Sequence, residues 1–285
     1  KTALMHDLLS LPEGDSSRLK IADAPILKGH HATIVEKNAQ STAVSFGFPI
    51  DLVRSDKDWT ALWLVRSYFG EHRSSNSHLF KRIRQVRGMN YGDYAYIEYF
   101  PRGMYQTKPD ANLGRSEQIF QVWIRPLRSN NDAHFATRVA LWELDQLIEN
   151  GLSVEDFEAT RNFLMNYVPQ LVASQDRQLG YAMDSEFYGI ENFAQYVNKQ
   201  LASLTLEDVN RVIRTYLQTD NIHYVFITGD GKDMKQRLAK ETSSPLSYNS
   251  DKPKVLTDED KIIQDYPLTL PASNIEIVPV DQVFE

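Results

Sequence analysis

Three arginines and a tyrosine crowd one short stretch of an otherwise acidic chain: Arg82, Arg84 and Arg87 in RIRQVRGMNYG, with Tyr91 three residues past Gly88. Leu79, Ile83 and Val86, flanked by Phe80, recur at helical spacing, so Ser77 to Arg87 predicts a helix that stops at Gly88. Arg84 falls on the flank of that apolar stripe, in the last turn, and Lys81 and Gln85 face away from it. Once Gly88 turns the chain back, Tyr91 opens the next strand and approaches Arg84. A guanidinium and a phenol held together make a clamp for a carbonyl oxygen or a developing oxyanion. The same residues also fit a plain helix C-terminus, where the dipole favours positive charge, and spacing alone leaves both readings open. Arg87 projects close to the apolar stripe and is expected to pair with a buried acid or with the last helix carbonyls.

Other chemistry finds less support. The chain has 7 histidines and no cysteine, which removes disulfides, thiolate metal sites and cysteine nucleophiles. His30 and His31 are neighbours on a strand and point to opposite faces, so they cannot chelate together. His72 and His78 flank the loop EHRSSNSH, and YFGEH carries Tyr68 where an H-x-x-E-H zinc motif needs its first histidine. No metal or cofactor ligand is therefore expected within this chain. There is no G-x-S-x-G elbow, and TGDGK (228–232) lacks the P-loop and dinucleotide patterns, so it reads as a strand-to-helix turn.

The 285 residues, 42% hydrophobic and 11% aromatic, describe a globular chain with a substantial core. A formal charge of -7 argues against a nucleic-acid partner, and no apolar run is long enough to span a membrane. The N-terminus lacks an initiator Met and the regions of a signal peptide, so the chain reads as a processed form or a fragment of something longer. Residues 1–24 form an extension whose LSLPEGDSSRLK (9–20) is linker-like. Strands are expected at 31–38, 41–50, 91–100, 117–126 and 222–230, and helices over Asp56–Phe69, Ser77–Arg87 and Asp132–Glu149. LSVEDF and LTLEDV open two later helices with capping signals at Ser153 and Thr205. Segregated strands and helices predict an α+β domain over residues 25–242, a mixed or antiparallel sheet with helices on one face. Residues 243–285 read as an extended tail packing on that domain.

The stretch SHLFKRIRQVRGMNYG resembles the signature of the pitrilysin/insulinase-type zinc metallopeptidases, which include the mitochondrial processing peptidases. It is similar to the segment in their C-terminal half, the half that binds no zinc. There an Arg and a Tyr seven residues apart bracket a Gly-containing turn; here these are Arg84 and Tyr91, with R-x-x-x-G-x-x-Y intact through Gly88. The order of STAVSFGFPI, YFGEHRSSNSHLF, the two capped helices and IHYVFITGD extends the likeness over residues 25 to 240, although GEHRSS departs from the family's glycine content. The inverted zinc motif H-x-x-E-H is absent from all 285 residues.

The resemblance implies a substrate-binding domain whose Arg84 and Tyr91 hold a substrate carbonyl opposite a zinc site lying outside this chain. An N-terminal zinc-binding half, on the same polypeptide or a separate subunit, is the implied partner. A peptide or unfolded protein is the implied substrate, accepted by an aromatic edge strand such as YAYIEYF, and the isolated chain is expected to be inactive. A periplasmic or secreted location is expected, with a cytosolic one as the alternative. The competing readings are a non-catalytic structural or assembly subunit of the same fold, which has no need of the Arg–Tyr pair, and a polyanion-binding module using Lys81 to Arg87.

Overall fold

A computed structural model describes residues 2–12, 14, 25–71, 76–99 and 109–283. His72, Phe100 and most of the 9–20 stretch lie outside the described residues. The short helix α1 (Thr2–Leu9) comes first, followed by strands β1 (His30–Glu36) and β2 (Thr42–Ile50) and helix α2 (Trp59–Gly70). A π-helical segment (Phe80–Gln85) leads to β3 (Gly92–Tyr96) and β4 (Gln118–Leu127). Five helices follow: α3 (Asn130–Asn150), α4 (Val154–Leu171), α5 (Gln175–Tyr188), α6 (Phe193–Ser203) and α7 (Leu206–Tyr216). The chain closes with β5 (Ile222–Thr228), α8 (Gly231–Ala239), α9 (Lys254–Ile263) and β6 (Ile275–Pro279).

The six strands form one mixed sheet in the order β3-β4-β2-β5-β1-β6. β1 runs parallel to β5 and β6, and the other pairs are antiparallel. Alternation decides the faces. On β5, Ile222, Tyr224, Phe226 and Thr228 are buried, whereas His223 and Ile227 are exposed, so one sheet face carries the helices and the other is partly open. This is the α+β arrangement that the segregated pattern implies.

Two elements went beyond the sequence reading. IHYVFITGD is not the last strand: Ile275–Pro279 adds a sixth, pairing with β1 from Ala32↔Ile275 onward. The polar stretch before it also holds α9, whose Leu256 and Ile263 are buried. Helix starts follow their caps: Ser153 accepts from the Asp156 amide, and Thr205 with Asp208 closes a full capping box. α2 meets β3 closely, and Gly70 is what permits it, because a Cβ there would lie 2.3 Å from the Ala95 nitrogen.

Candidate functional site

The helix expected over Ser77–Arg87 is present, but not as an ordinary α-helix. The Val86 amide bonds to the Lys81 carbonyl, an i→i+5 step, before the Gly88 amide returns to Arg84 at i→i+4. The wider turn rotates residues three apart off a common face, and it separates Arg84 from Arg87. Gly88 ends the segment at φ 66°, a left-handed conformation that glycine adopts without strain.

The three arginines meet different fates. Arg87 is buried; its Nε donates to Asp260 at 2.8 Å, its Nη2 to Glu259 at 2.6 Å and its Nη1 to the Arg82 carbonyl at 2.8 Å. It therefore pairs with buried acid, as its place near the apolar stripe implies. Arg82 donates to Glu143 of α3 and pairs with Glu259 at 2.5 Å. Burial raises the Glu143 carboxyl, but His78, 2.6 Å away, and Arg82 outweigh it and hold the group below its ordinary value. Tyr68 lies 3.1 Å from the other His78 nitrogen, so that histidine stands between α2 and α3.

Arg84 is the exception. Its Nη1 donates to the Tyr91 carbonyl, and its guanidinium carbon lies 4.3 Å from the Tyr91 ring centroid and 5.5 Å from that of Phe80. Among the described residues no carboxylate pairs with it within 4.0 Å. Tyr91 is 53% exposed, so the pair stands at the surface with a cation stacked on a phenol. Arg84 and Tyr91 are thus brought together, and the charges of Arg82 and Arg87 are absorbed by acids.

The remaining candidates are structural. His30 bonds to Thr219 and Tyr224, and His31 stacks on His223 with ring centroids 6.5 Å apart. In TGDGK, Asp230 caps α8 and the Gly231 amide donates to Glu36 at 2.9 Å, which places a carboxylate where a phosphate would sit. Among the described residues no group of three or more His, Cys, Asp or Glu is arranged to hold a metal ion, so the zinc implied by the resemblance does not fit these residues. No described helix is long and apolar enough to cross a membrane.

Sequence reasoning missed Asn90 and Asp93. Asp93 is fully buried on β3, and its Oδ1 accepts from Asn90 Nδ2. Burial pushes its carboxyl up to about 7, while the Asn90 bond and the Arg84 charge pull it back. The available signal was a single acid at an inward position of the aromatic run YGDYAYIEYF.

No family model matches the chain, and no curated protein matches it in sequence. Solved structures do match. The peptidase M16 inactive domain from Pseudomonas fluorescens superimposes with a TM-score of 0.62 at 18% identity, over 77% of this chain and 47% of that one. A protease from Helicobacter pylori gives 0.62 at 15% identity, over 80% and 53%. The periplasmic protease PqqL from Escherichia coli gives 0.58 at 15% identity, over 94% of this chain and 28% of its own. The chain therefore has the fold of the M16 peptidase inactive domain. It spans about half the length of the first two matched chains.

Proposed function

We propose that this chain is the substrate-facing, non-zinc-binding domain of a pitrilysin-type metalloendopeptidase, with Arg84 and Tyr91 as its catalytic pair. The reading is carried by one observation: of three clustered arginines, Arg84 is the one with no carboxylate partner among the described residues, and it lies against an exposed tyrosine on this fold. A guanidinium in that setting donates to a neutral carbonyl and gains when negative charge develops on the oxygen. The Tyr91 phenol is a second donor of the same kind. Among the described residues no zinc site is arranged, and this reading assigns the metal to a partner half, with no step assigned to it on this chain.

In this reading the substrate is an extended peptide or unfolded chain. Residues 25–242 form the body that receives it, and the tail 243–285 braces the Arg84 helix through α9. A periplasmic or secreted location accompanies the proposal.

The test begins with the coding sequence on both sides of this chain, or in a neighbouring gene, where an H-x-x-E-H helix identifies the zinc-bearing half. In the complete enzyme, Arg84→Ala and Tyr91→Phe are expected to lower kcat on the order of 100-fold, with a much smaller rise in KM. Unchanged kcat in both variants removes the catalytic assignment and leaves a structural domain.

A further inference from the structure

The turn that carries Tyr91 contains two buried polar oxygens that no group among the described residues satisfies. Asn90 Nδ2 donates both to Asp93 Oδ1 and to the Gly92 carbonyl, the latter at 3.0 Å. The second bond fixes the orientation of the amide, leaving Asn90 Oδ1 as its carbonyl oxygen. Among the described residues neither Asn90 Oδ1 nor Asp93 Oδ2, both buried, has a hydrogen-bond partner. If Asp93 is ionised, both atoms are acceptors and neither can satisfy the other. A single proton on Asp93 Oδ2 resolves both deficits, because an acid and an amide joined through N–H to C=O can close a second bond through O–H to C=O.

We infer that Asp93 rests as the neutral acid paired with Asn90, and that its ionisation is a switch on the Arg84–Tyr91 pair. The inference rests on the proposed role of that pair. With Asp93 neutral, Arg84 has no buried counter-charge and its donors remain directed at the surface. With Asp93 ionised, a carboxylate buried behind the turn draws the guanidinium inward and competes with a substrate carbonyl. The charged groups around Asp93 are few. Arg84 comes from the helical segment, and on β4 Asp93 faces Ile124 while Arg125 stands opposite Gly92. From α2, Arg66 donates to the Ala95 carbonyl and is itself paired with Glu71 at 2.7 Å. The carboxyl's displacement to about 7 by burial places the switch near neutrality. The sign follows: the pair is competent below that pH and is withdrawn above it.

The test uses the chain with nitrogen-labelled arginines. The Arg84 Nε–H resonance, identified by its loss in Arg84→Lys, is followed from about pH 5.5 to about pH 8.5, a window centred on the Asp93 transition. It is expected to move with a midpoint about 7 in the native chain. It should stay fixed in Asp93→Asn, which mimics the neutral acid. Asn90→Ala provides a second variant: removing the partner that closes the acid–amide pair is expected to displace the midpoint from that of the native chain. An Arg84 resonance that does not move, or that moves identically in Asp93→Asn, overturns the inference. In the complete enzyme, hydrolysis of fluorescein-labelled β-casein should fall about tenfold from about pH 6 to about pH 8, relative to Asp93→Asn, because the neutral fraction falls by that factor. If the resonance behaves as expected but Arg84→Ala leaves casein turnover unchanged, the coupling stands and the catalytic role of the pair fails.

Discussion

Replacing Arg54 by methionine should unfold a large part of the margin of stability, and the loss should depend on pH with a defined sign. The Arg54 side chain is 0% exposed. Its Nε and Nη2 donate to the two oxygens of Glu98, each at 2.8 Å, its Nη1 to Asp184 at 2.9 Å, and its Nη2 also to the Asp110 carbonyl at 2.6 Å. The Phe193 ring lies 5.2 Å from the guanidinium carbon. One side chain thus ties the loop before α2 to the end of β3, the segment from Asp110 and helices α5 and α6. Methionine fills the volume but leaves two buried carboxylates without their cation, a situation that costs about 3–5 kcal/mol. Asp184 keeps the Asn112 and Leu113 amides, so the lower part of that range applies to it and Glu98 bears more of the loss. Burial already holds the Asp184 carboxyl above its ordinary value, with Arg54 the strongest opposing influence, so removing Arg54 drives it higher. A carboxyl raised in the fold loses stability as pH climbs from its unfolded value through its folded one. The gap between variant and native chain is therefore full at about pH 8 and narrows on acidification toward about pH 4. Urea titrations followed by tryptophan fluorescence measure it, since Trp59 sits beside Arg54. A gap below about 1 kcal/mol at neutral pH, or one that widens in acid, refutes the reasoning.

Two further changes test the frame of the site. Arg87→Met leaves the buried Asp260 without its cation, while Glu259 keeps Arg82; a loss of about 3 kcal/mol is expected, together with faster hydrogen exchange in α9 than in β5, and equal exchange would show that the ion pairs do not anchor α9. Gly70→Ala places a methyl against the backbone of Ala95, which cannot yield as a side chain can; a cost of about 1–3 kcal/mol and a Tm lower by about 2–4 °C per kcal/mol are expected by calorimetry, and an unchanged Tm would mean that α2 and β3 are free to separate.

What could be read from the sequence follows from how local each signal is. Caps at Ser153 and Thr205 involve residues three apart, and the alternating strands β2, β4 and β5 carry their burial pattern in consecutive positions, so both were legible. β6 was not, because IEIVP has little alternation of its own and owes its strand conformation to β1, more than 200 residues earlier in the chain. β3 is shorter than its aromatic run suggested, since after Tyr96 the chain leaves the β4 ladder. At the site, the approach of Arg84 to Tyr91 was legible from the Gly88 turn between them. The acids that separate Arg84 from its neighbours were not, for Glu143, Glu259 and Asp260 lie 61 to 173 positions away.

That separation means that the run of three arginines is not arranged as a basic patch. Salt-dependent binding to a polyanion needs several uncompensated cations on one surface. Here the i→i+5 turn directs Arg87 toward α9 while Arg82 reaches both α3 and α9, and three carboxylates meet two guanidiniums there. The local charge of that cluster is met before any ligand arrives, so the surface offers a single guanidinium stacked on a single phenol. One fixed cation beside a hydrogen-bonding ring suits a neutral carbonyl whose oxygen gains charge during reaction better than it suits a phosphate backbone. The buried acid behind the turn adds to this: if Asp93 were ionised at rest, Arg84 too would be drawn toward a carboxylate, and all three guanidiniums of the stretch would be directed at acids.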